Sequence, residues 1–268
     1  MTKTARIVLP LLFLLSVPSS SQEPKSFRDL QRKYPRVQTA SNEKDEVLRK
    51  RFQEKALTYP PRAILLRAFK QEGLLELWAT DAEDQPYKLV HEYRICTSSG
   101  TLGPKRRFGD EQVPEGFYEL DWFNPQSNFF LSLHINYPNA SDRILGSRKN
   151  PGGDIFLHGN CASIGCIPIT DDGIKEVYWL AVQVRNLGQR HLPIQIFPAR
   201  LTDAGLKALA TTHPGQSALI AFWGNLKEGY DLFEKKHRLP RVKTRADGAP
   251  TPFPRLAASC PARSCMSA

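Results

Sequence analysis

Ile155-Phe156-Leu157-His158-Gly159-Asn160-Cys161-Ala162-Ser163-Ile164-Gly165-Cys166-Ile167-Pro168-Ile169-Thr170 changes from an apolar run to a turn and back. Ile155 to Leu157 suit a short buried strand, and His158 stands where that strand meets a loop. Gly159, Asn160, Ser163 and Gly165 are small, turn-prone residues that fold the chain back, which returns Cys166 toward the His158 imidazole. A free thiol is only partly ionised at neutral pH. A neighbouring histidine takes its proton or stabilises the thiolate, so the pair suits attack on a carbonyl. Backbone N–H groups around Gly165 and Cys166 are candidates for receiving the resulting oxyanion, because glycine lets the main chain approach a ligand closely. Spacing alone leaves a blander alternative open, a small buried cysteine and an unrelated histidine.

Sequence around this stretch narrows the choice. His158, Gly159, Ser163, Gly165 and Cys166 resemble the His-Gly, loop, Ser-x-Gly-Cys signature of the L,D-transpeptidase catalytic domain (YkuD) family. Leu102-Gly103-Pro104-Lys105-Arg106, Pro114-Glu115-Gly116-Phe117-Tyr118 and Tyr137-Pro138-Asn139-Ala140-Ser141-Asp142-Arg143 resemble its YafK/DpaA branch, and the matching blocks keep their order from Ile64 to Phe197. The resemblance implies a β-sandwich, Cys166 as nucleophile, His158 as base, Gly159 orienting His158 through its carbonyl, and an oxyanion loop containing Ser163 and Gly165. It also implies peptidoglycan stem peptides as substrate. Within the branch the activity is that of a murein amidase that releases wall-linked lipoprotein by cutting at diaminopimelate. The alternative is a transpeptidase that forms cross-links or attaches the lipoprotein, and an alternative of another class is a wall-binding module with a dormant site. One residue departs from the wider family: Pro168 stands where an arginine usually follows the nucleophile by two positions. Arg106 and Arg143 are candidate substrate contacts, since a guanidinium fork suits a stem-peptide carboxylate, against the reading of a solvated charged loop.

Upstream of the motif, Ala63–Phe69 and Leu74–Ala79 read as a hairpin, and Lys88–Cys96, Gly116–Trp122 and Leu131–Tyr137 add strands. In the last of these, Leu131, Leu133, Ile135 and Tyr137 share one face, which leaves His134 on the polar face. Downstream, Thr170 caps a helix whose Ile174, Val177, Tyr178, Ala181 and Val184 repeat at helical spacing. Leu192–Phe197 returns as a strand, with Pro193 favouring an edge. The pattern predicts a mainly β fold with helices added at both ends and one helix after the nucleophile.

Met1 to Ser21 has Lys3 and Arg6, an apolar run from Ile7 to Val17, and then small residues, the pattern of a cleaved leader for export to the periplasm or beyond. The predicted organisation is a leader (1–21), a helical extension (22–61) with a helix over Ser41–Leu57, the catalytic domain (62–200), a helical segment (201–238), and a disordered basic tail (239–268). Formal charge is +10 for the whole chain. Export argues against nucleic acid as the partner of that charge, and an anionic wall polymer accounts for it equally well. Five cysteines leave one unpaired in an oxidising compartment. Cys260 and Cys265 are close enough to pair, Cys96 can bridge Cys161 if its strand lies beside the active loop, and Cys166 is then the free thiol. A zinc site at His158, Cys161 and Cys166 matches no common spacing and lacks a fourth ligand, and a redox pair lacks Cys-x-x-Cys, so no metal or cofactor is expected.

Overall fold

The computed structural model describes residues 26–254. The leader and the Cys260–Cys265 pairing lie outside these residues.

Strands β1 (Ala63–Phe69), β2 (Leu74–Thr80), β3 (Lys88–Arg94), β4 (Gly116–Asn124), β5 (Ser132–Ile135), β6 (Phe156–His158), β7 (Ile167–Pro168) and β8 (Leu192–Phe197) form one mixed sheet. The order across it is β3-β2-β1-β8-β4-β5-β6-β7. Two pairs are parallel, β1 with β8 and β6 with β7, and the rest are antiparallel. Helices precede and follow the sheet, so the chain is mainly β with helices at both ends.

β8 occupies the centre of the sheet, not the edge that Pro193 suggests. The parallel ladder with β1 begins at Leu66↔Ile194, so the proline falls one residue before a backbone N–H is needed on that side.

The two faces of the sheet bury different things. One face carries Leu66, Ala68, Tyr118, Leu120, Phe123, Leu133, Leu157, Ile194 and Ile196. Helix α4 (Thr170–Asn186) packs against it through Ile174, Val177, Tyr178, Ala181 and Val184, the stripe read from the sequence. Helices α1 (Phe27–Gln31) and α2 (Pro35–Glu54) lie against α4; Trp179 Nε1 donates to Asp45 and Tyr178 OH donates to Gln31. α2 starts six residues before the expected Ser41, because Pro35 sits at its first turn, where a missing N–H costs nothing.

The second face is covered only in part. Over β1, β2 and β8, helices α5 (Asp203–Thr212) and α6 (Ser217–Lys236) bury Phe69, Phe197, Trp223, Tyr230 and Phe233. There the fully buried Arg67 lies among the rings of Phe69, Trp78, Phe197, Tyr230 and Phe233, 4.5–5.9 Å from guanidinium carbon to ring centroid. It donates to Glu234 of α6 at 2.7 Å. Over the C-terminal part of β4 and over β5 and β6 the same face is open.

Two elements were absent from the sequence reading. Helix α3 (Ala140–Leu145) opens on a capping box in which Asn139 and Asp142 bond each other's backbone N–H. The expected disorder from 239 onward meets a hairpin, β9 (Arg241–Thr244) with β10 (Pro250–Phe253). Asn225 on α6 donates to the Pro250 carbonyl, so a segment rich in Pro and Arg gains order from packing and not from propensity.

Candidate active site

β6 is three residues long, and alternation points Leu157 into the core while Phe156 and His158 face the open side. Its neighbours supply matching residues: Ser132↔His158 and His134↔Phe156 across β5, then Asn124↔Ser132 and Trp122↔His134 across β4. On the other side Leu157 pairs with Ile167, so Cys166 comes level with Phe156; the Phe156 N–H meets the Cys166 sulfur at 3.4 Å. A cleft of about 440 Å³ opens on this surface, lined by Asn124, Ser127, Asn128, Phe129, Ser132, Asp154, Phe156, His158, Ala162, Ser163, Ile164 and Cys166. That size suits a short peptide segment.

His158 is almost fully buried. Its Nδ1 meets the Gly159 carbonyl oxygen, which fixes Nδ1 as the protonated nitrogen and leaves Nε2 with a lone pair. That Nε2 is buried and has no partner among the described residues. The Phe129 ring lies over the imidazole with centroids 4.5 Å apart. Burial pushes the His158 pKa below the ordinary histidine value, partly offset by the Gly159 carbonyl. At neutral pH the ring is an uncharged base.

Cys166 is the free cysteine of the described residues and is partly exposed. Burial pushes its thiol up, the Phe156 N–H opposes that, the Asp154 carboxylate adds to it, and the Lys105 ammonium opposes it. Both shifts disfavour a resting thiolate–imidazolium pair, which differs from the stabilised thiolate that the sequence suggests. The arrangement suits a neutral thiol that yields its proton as it attacks.

The loop between them is tied down from three sides. Ser163 Oγ donates to the Cys166 carbonyl at 2.8 Å, receives the Gly165 N–H at 3.2 Å, and lies 3.2 Å from Ser99 Oγ. Cys96 and Cys161 are joined in a disulfide. Asp171 in the first turn of α4 accepts the Asn160 N–H at 2.8 Å. The Thr170 hydroxyl accepts the Gly173 N–H in the manner of a cap.

Both glycines of the signature have steric reasons. Gly165 has φ +130°, and a Cβ there would lie 3.2 Å from the Gln112 carbonyl oxygen and from Ile155. At Gly159 a Cβ would come within 2.5 Å of Asp171 Oδ1 and 2.9 Å of the Phe129 carbonyl oxygen. Because the Gly165 N–H is engaged by Ser163, the loop amide left for an oxyanion is that of Cys166.

His158, Ser163 and Cys166 therefore meet in one cleft, with Gly159 and Gly165 buried behind it. Arg106 and Arg143 do not line it. Arg106 pairs with Asp142 at 3.3 Å and lies over the Phe222 ring, while Arg143 is exposed on α3. Sequence reasoning missed Phe129, Asn124 and Ser132, which reach the site through strand register. It also missed Arg36, whose guanidinium donates to the carbonyls of Ser127 (2.5 Å) and Phe130 (2.8 Å) and so braces the loop that carries Phe129. Among the described residues no group of His, Cys, Asp and Glu side chains converges to hold a metal ion, and no helix is long and apolar enough to cross a membrane.

Residues 74–186 match the sequence profile of the L,D-transpeptidase catalytic domain, YkuD. The chain is 37% identical over 181 residues, 67% of its own length and 70% of the relative's, to "Putative L,D-transpeptidase YafK" of Escherichia coli strain K12, and equally to its counterpart in strain O157:H7. Among solved structures it aligns with the helical cell shape determining protein Pgp2 (K307A mutant) of Campylobacter jejuni over 68% of this chain and 71% of that one, at 17% identity and a TM-score of 0.41. It also aligns with Bd1075 of Bdellovibrio bacteriovorus over 67% and 63%, at 24% identity and a TM-score of 0.38.

Proposed function

Because the chain belongs to the L,D-transpeptidase catalytic domain family, we propose that it is an exported, cysteine-dependent enzyme that cleaves peptidoglycan stem peptides at diaminopimelate and releases wall-linked lipoprotein. The observation that carries the reading is the buried, unpartnered Nε2 of His158 in the same cleft as the free thiol of Cys166. Nε2 takes the thiol proton as sulfur bonds to the amide carbonyl carbon, and the oxyanion rests on the Cys166 N–H. The C–N bond then breaks, the proton passes from His158 to the departing amine, and a thioester remains. Water attacks it, His158 again takes a proton, and the carbon–sulfur bond breaks to give a carboxylate and the restored thiol.

Asp154 is the charged side chain that lines the cleft, and its carboxylate suits the ammonium of a diaminopimelate. Asn124, Ser127, Asn128, Ser132 and Ser163 bring small polar side chains to the cleft, which leaves the thioester open to water. Transpeptidation is the second reading, favoured by the description of the Escherichia coli relative; an amine then replaces water in the last step. In either case the enzyme works in the periplasm, where the leader would deliver it.

The test is to incubate the protein and its Cys166→Ala variant with sacculi that carry covalently attached lipoprotein, then analyse soluble and insoluble fractions by mass. Release of lipoprotein, lost in the variant, is the expected result. New cross-links without release replace hydrolysis by transpeptidation, and no Cys166-dependent change overturns both.

A further inference from the structure

We propose that the open sheet surface beside the cleft is a glycan-binding subsite, in which the exposed Trp122 ring, braced edge-on by His134 and Phe156, stacks the saccharide that carries the stem peptide. The proposal rests on the reading of the cleft as the place where the stem peptide is attacked.

Register builds the cluster. Trp122 of β4 pairs with His134 of β5, and His134 pairs with Phe156 of β6, so three ring side chains lie side by side on one face of three adjacent strands. Their centroids form a triangle, 6.4 Å for Trp122–His134, 5.1 Å for His134–Phe156 and 6.0 Å for Trp122–Phe156, and the rings meet edge to face at 61–65°, so the three make a compact cluster with Trp122 leaning toward Phe156. Trp122 is 53% exposed, whereas Trp78, Trp179 and Trp223 are buried. A large aromatic left in water on an otherwise well-packed sheet marks a surface that something covers. Phe156 belongs both to this cluster and to the cleft lining, so Trp122 adjoins the cleft directly through Phe156.

The chemistry selects a saccharide over an apolar partner. A pyranose ring presents a C–H face, which suits the negative face of an aromatic ring, and a rim of hydroxyl and amide groups, which needs polar partners. The cluster supplies those partners: His134 Nδ1 lies 2.6 Å from Asp121 Oδ1, and that carboxylate is half exposed. An apolar peptide or lipid surface would leave this carboxylate and imidazole without water, a desolvation cost that a hydroxyl-bearing ligand avoids.

Peptide-free glycan strands of the wall polymer, titrated into the Cys166→Ala protein and followed by tryptophan fluorescence and heat, test the idea without any turnover. Free stem peptide is titrated in parallel. Saturable glycan binding that perturbs the exposed tryptophan is expected, weakened about tenfold in Trp122→Ala and within about threefold of the parent in Trp122→Phe, which keeps a stacking face. Glycan binding that is indifferent to Trp122→Ala overturns the proposal. So does a Trp122→Ala variant that loses free stem peptide as severely as glycan, because the cluster then serves the peptide. Glycan binding with no cleavage of any sacculus by the active protein would sink the proposed reaction and leave this subsite standing.

Discussion

The same face of one sheet is finished in two different ways. At the β1–β8 end, Arg67 lies among five rings and α6 closes over it with Glu234 and Tyr230. At the β4–β6 end, His158 is buried with Nε2 unmatched, and the rings of Phe129, Phe156 and Trp122 are left partly or wholly in water. Both ends are rich in aromatic side chains and both hold a buried nitrogen-bearing side chain. The closed end pairs its guanidinium with Glu76 and Glu234, leaving one Arg67 nitrogen to the surrounding rings. The open end leaves the His158 lone pair without a partner beside a thiol held only by the Phe156 N–H and the Asp154 carbonyl, which is what chemistry on an external substrate requires.

Substitutions at the closed end test stability alone. Arg67→Ala empties a fully buried site and removes the partner of Glu234, so it should cost about 3–5 kcal/mol in denaturant unfolding. The folded fraction should keep its Cys166-dependent turnover. A loss under 1 kcal/mol would mean that the cage is not a stability device. Gly159→Ala lies behind the open end and should lower stability by about 1–3 kcal/mol through its clash with the Phe129 carbonyl. Turnover should fall by more than that loss explains, because a shift of residue 159 moves its own carbonyl, which holds the imidazole. Unchanged turnover would show that the His158 tautomer is set by other groups.

Acid separates the ends further. Folding lowers the His158 pKa, so as pH falls the unfolded chain binds this proton first. The contribution is fully present above the ordinary histidine value of about 6.5 and is lost on acidification below it. His158→Gln should therefore show a shallower loss of melting temperature over that window than the parent protein. Because the thiol is pushed up, turnover should show a broad plateau through neutral pH with one acid limb below about 6.5. An acid limb centred well above that value would contradict a neutral resting base. The smallest effect is expected from Arg36→Ala, which frees the carbonyls of Ser127 and Phe130: about 1 kcal/mol of stability and a few-fold in turnover. A change in stability alone would remove Arg36 from the positioning of Phe129.

How far the sequence could be read follows the same division. The open end was legible where its residues are contiguous, because His158, Gly159, Ser163, Gly165 and Cys166 lie on one turn; that its glycines are held by Phe129, Asp171 and Gln112 was not. Phe129, Asn124 and Ser132 were not, since their relation to the site is a matter of register between strands far apart in sequence. His134 was placed on the polar face, and it lies there; that its neighbours across the strands are Trp122 and Phe156 needs the pairing itself. Pro193 misled because an edge rule assumes ladder bonds on both sides at that residue. The early start of α2 rests on Pro35, and the hairpin over 241–253 on contacts with α6, neither of which periodicity expresses. The alternation that put Leu131, Leu133, Ile135 and Tyr137 on one face was clear, whereas Ile155–Leu157 read only as an apolar run.

The central position of β8 sets an order of events for a chain made from its N-terminus. β1–β2–β3 and β4–β5–β6–β7 share no ladder; β8 alone pairs with both, with β1 on one side and β4 on the other, and the remaining tie is at the far edges, where Cys96 meets Pro168 and Cys161. Base and nucleophile are thus synthesised before the strand that fuses their half of the sheet to the rest, and that bridge is a long-range one. The finished cleft is a late product of the chain, because the sheet that carries it is complete only once β8 is made.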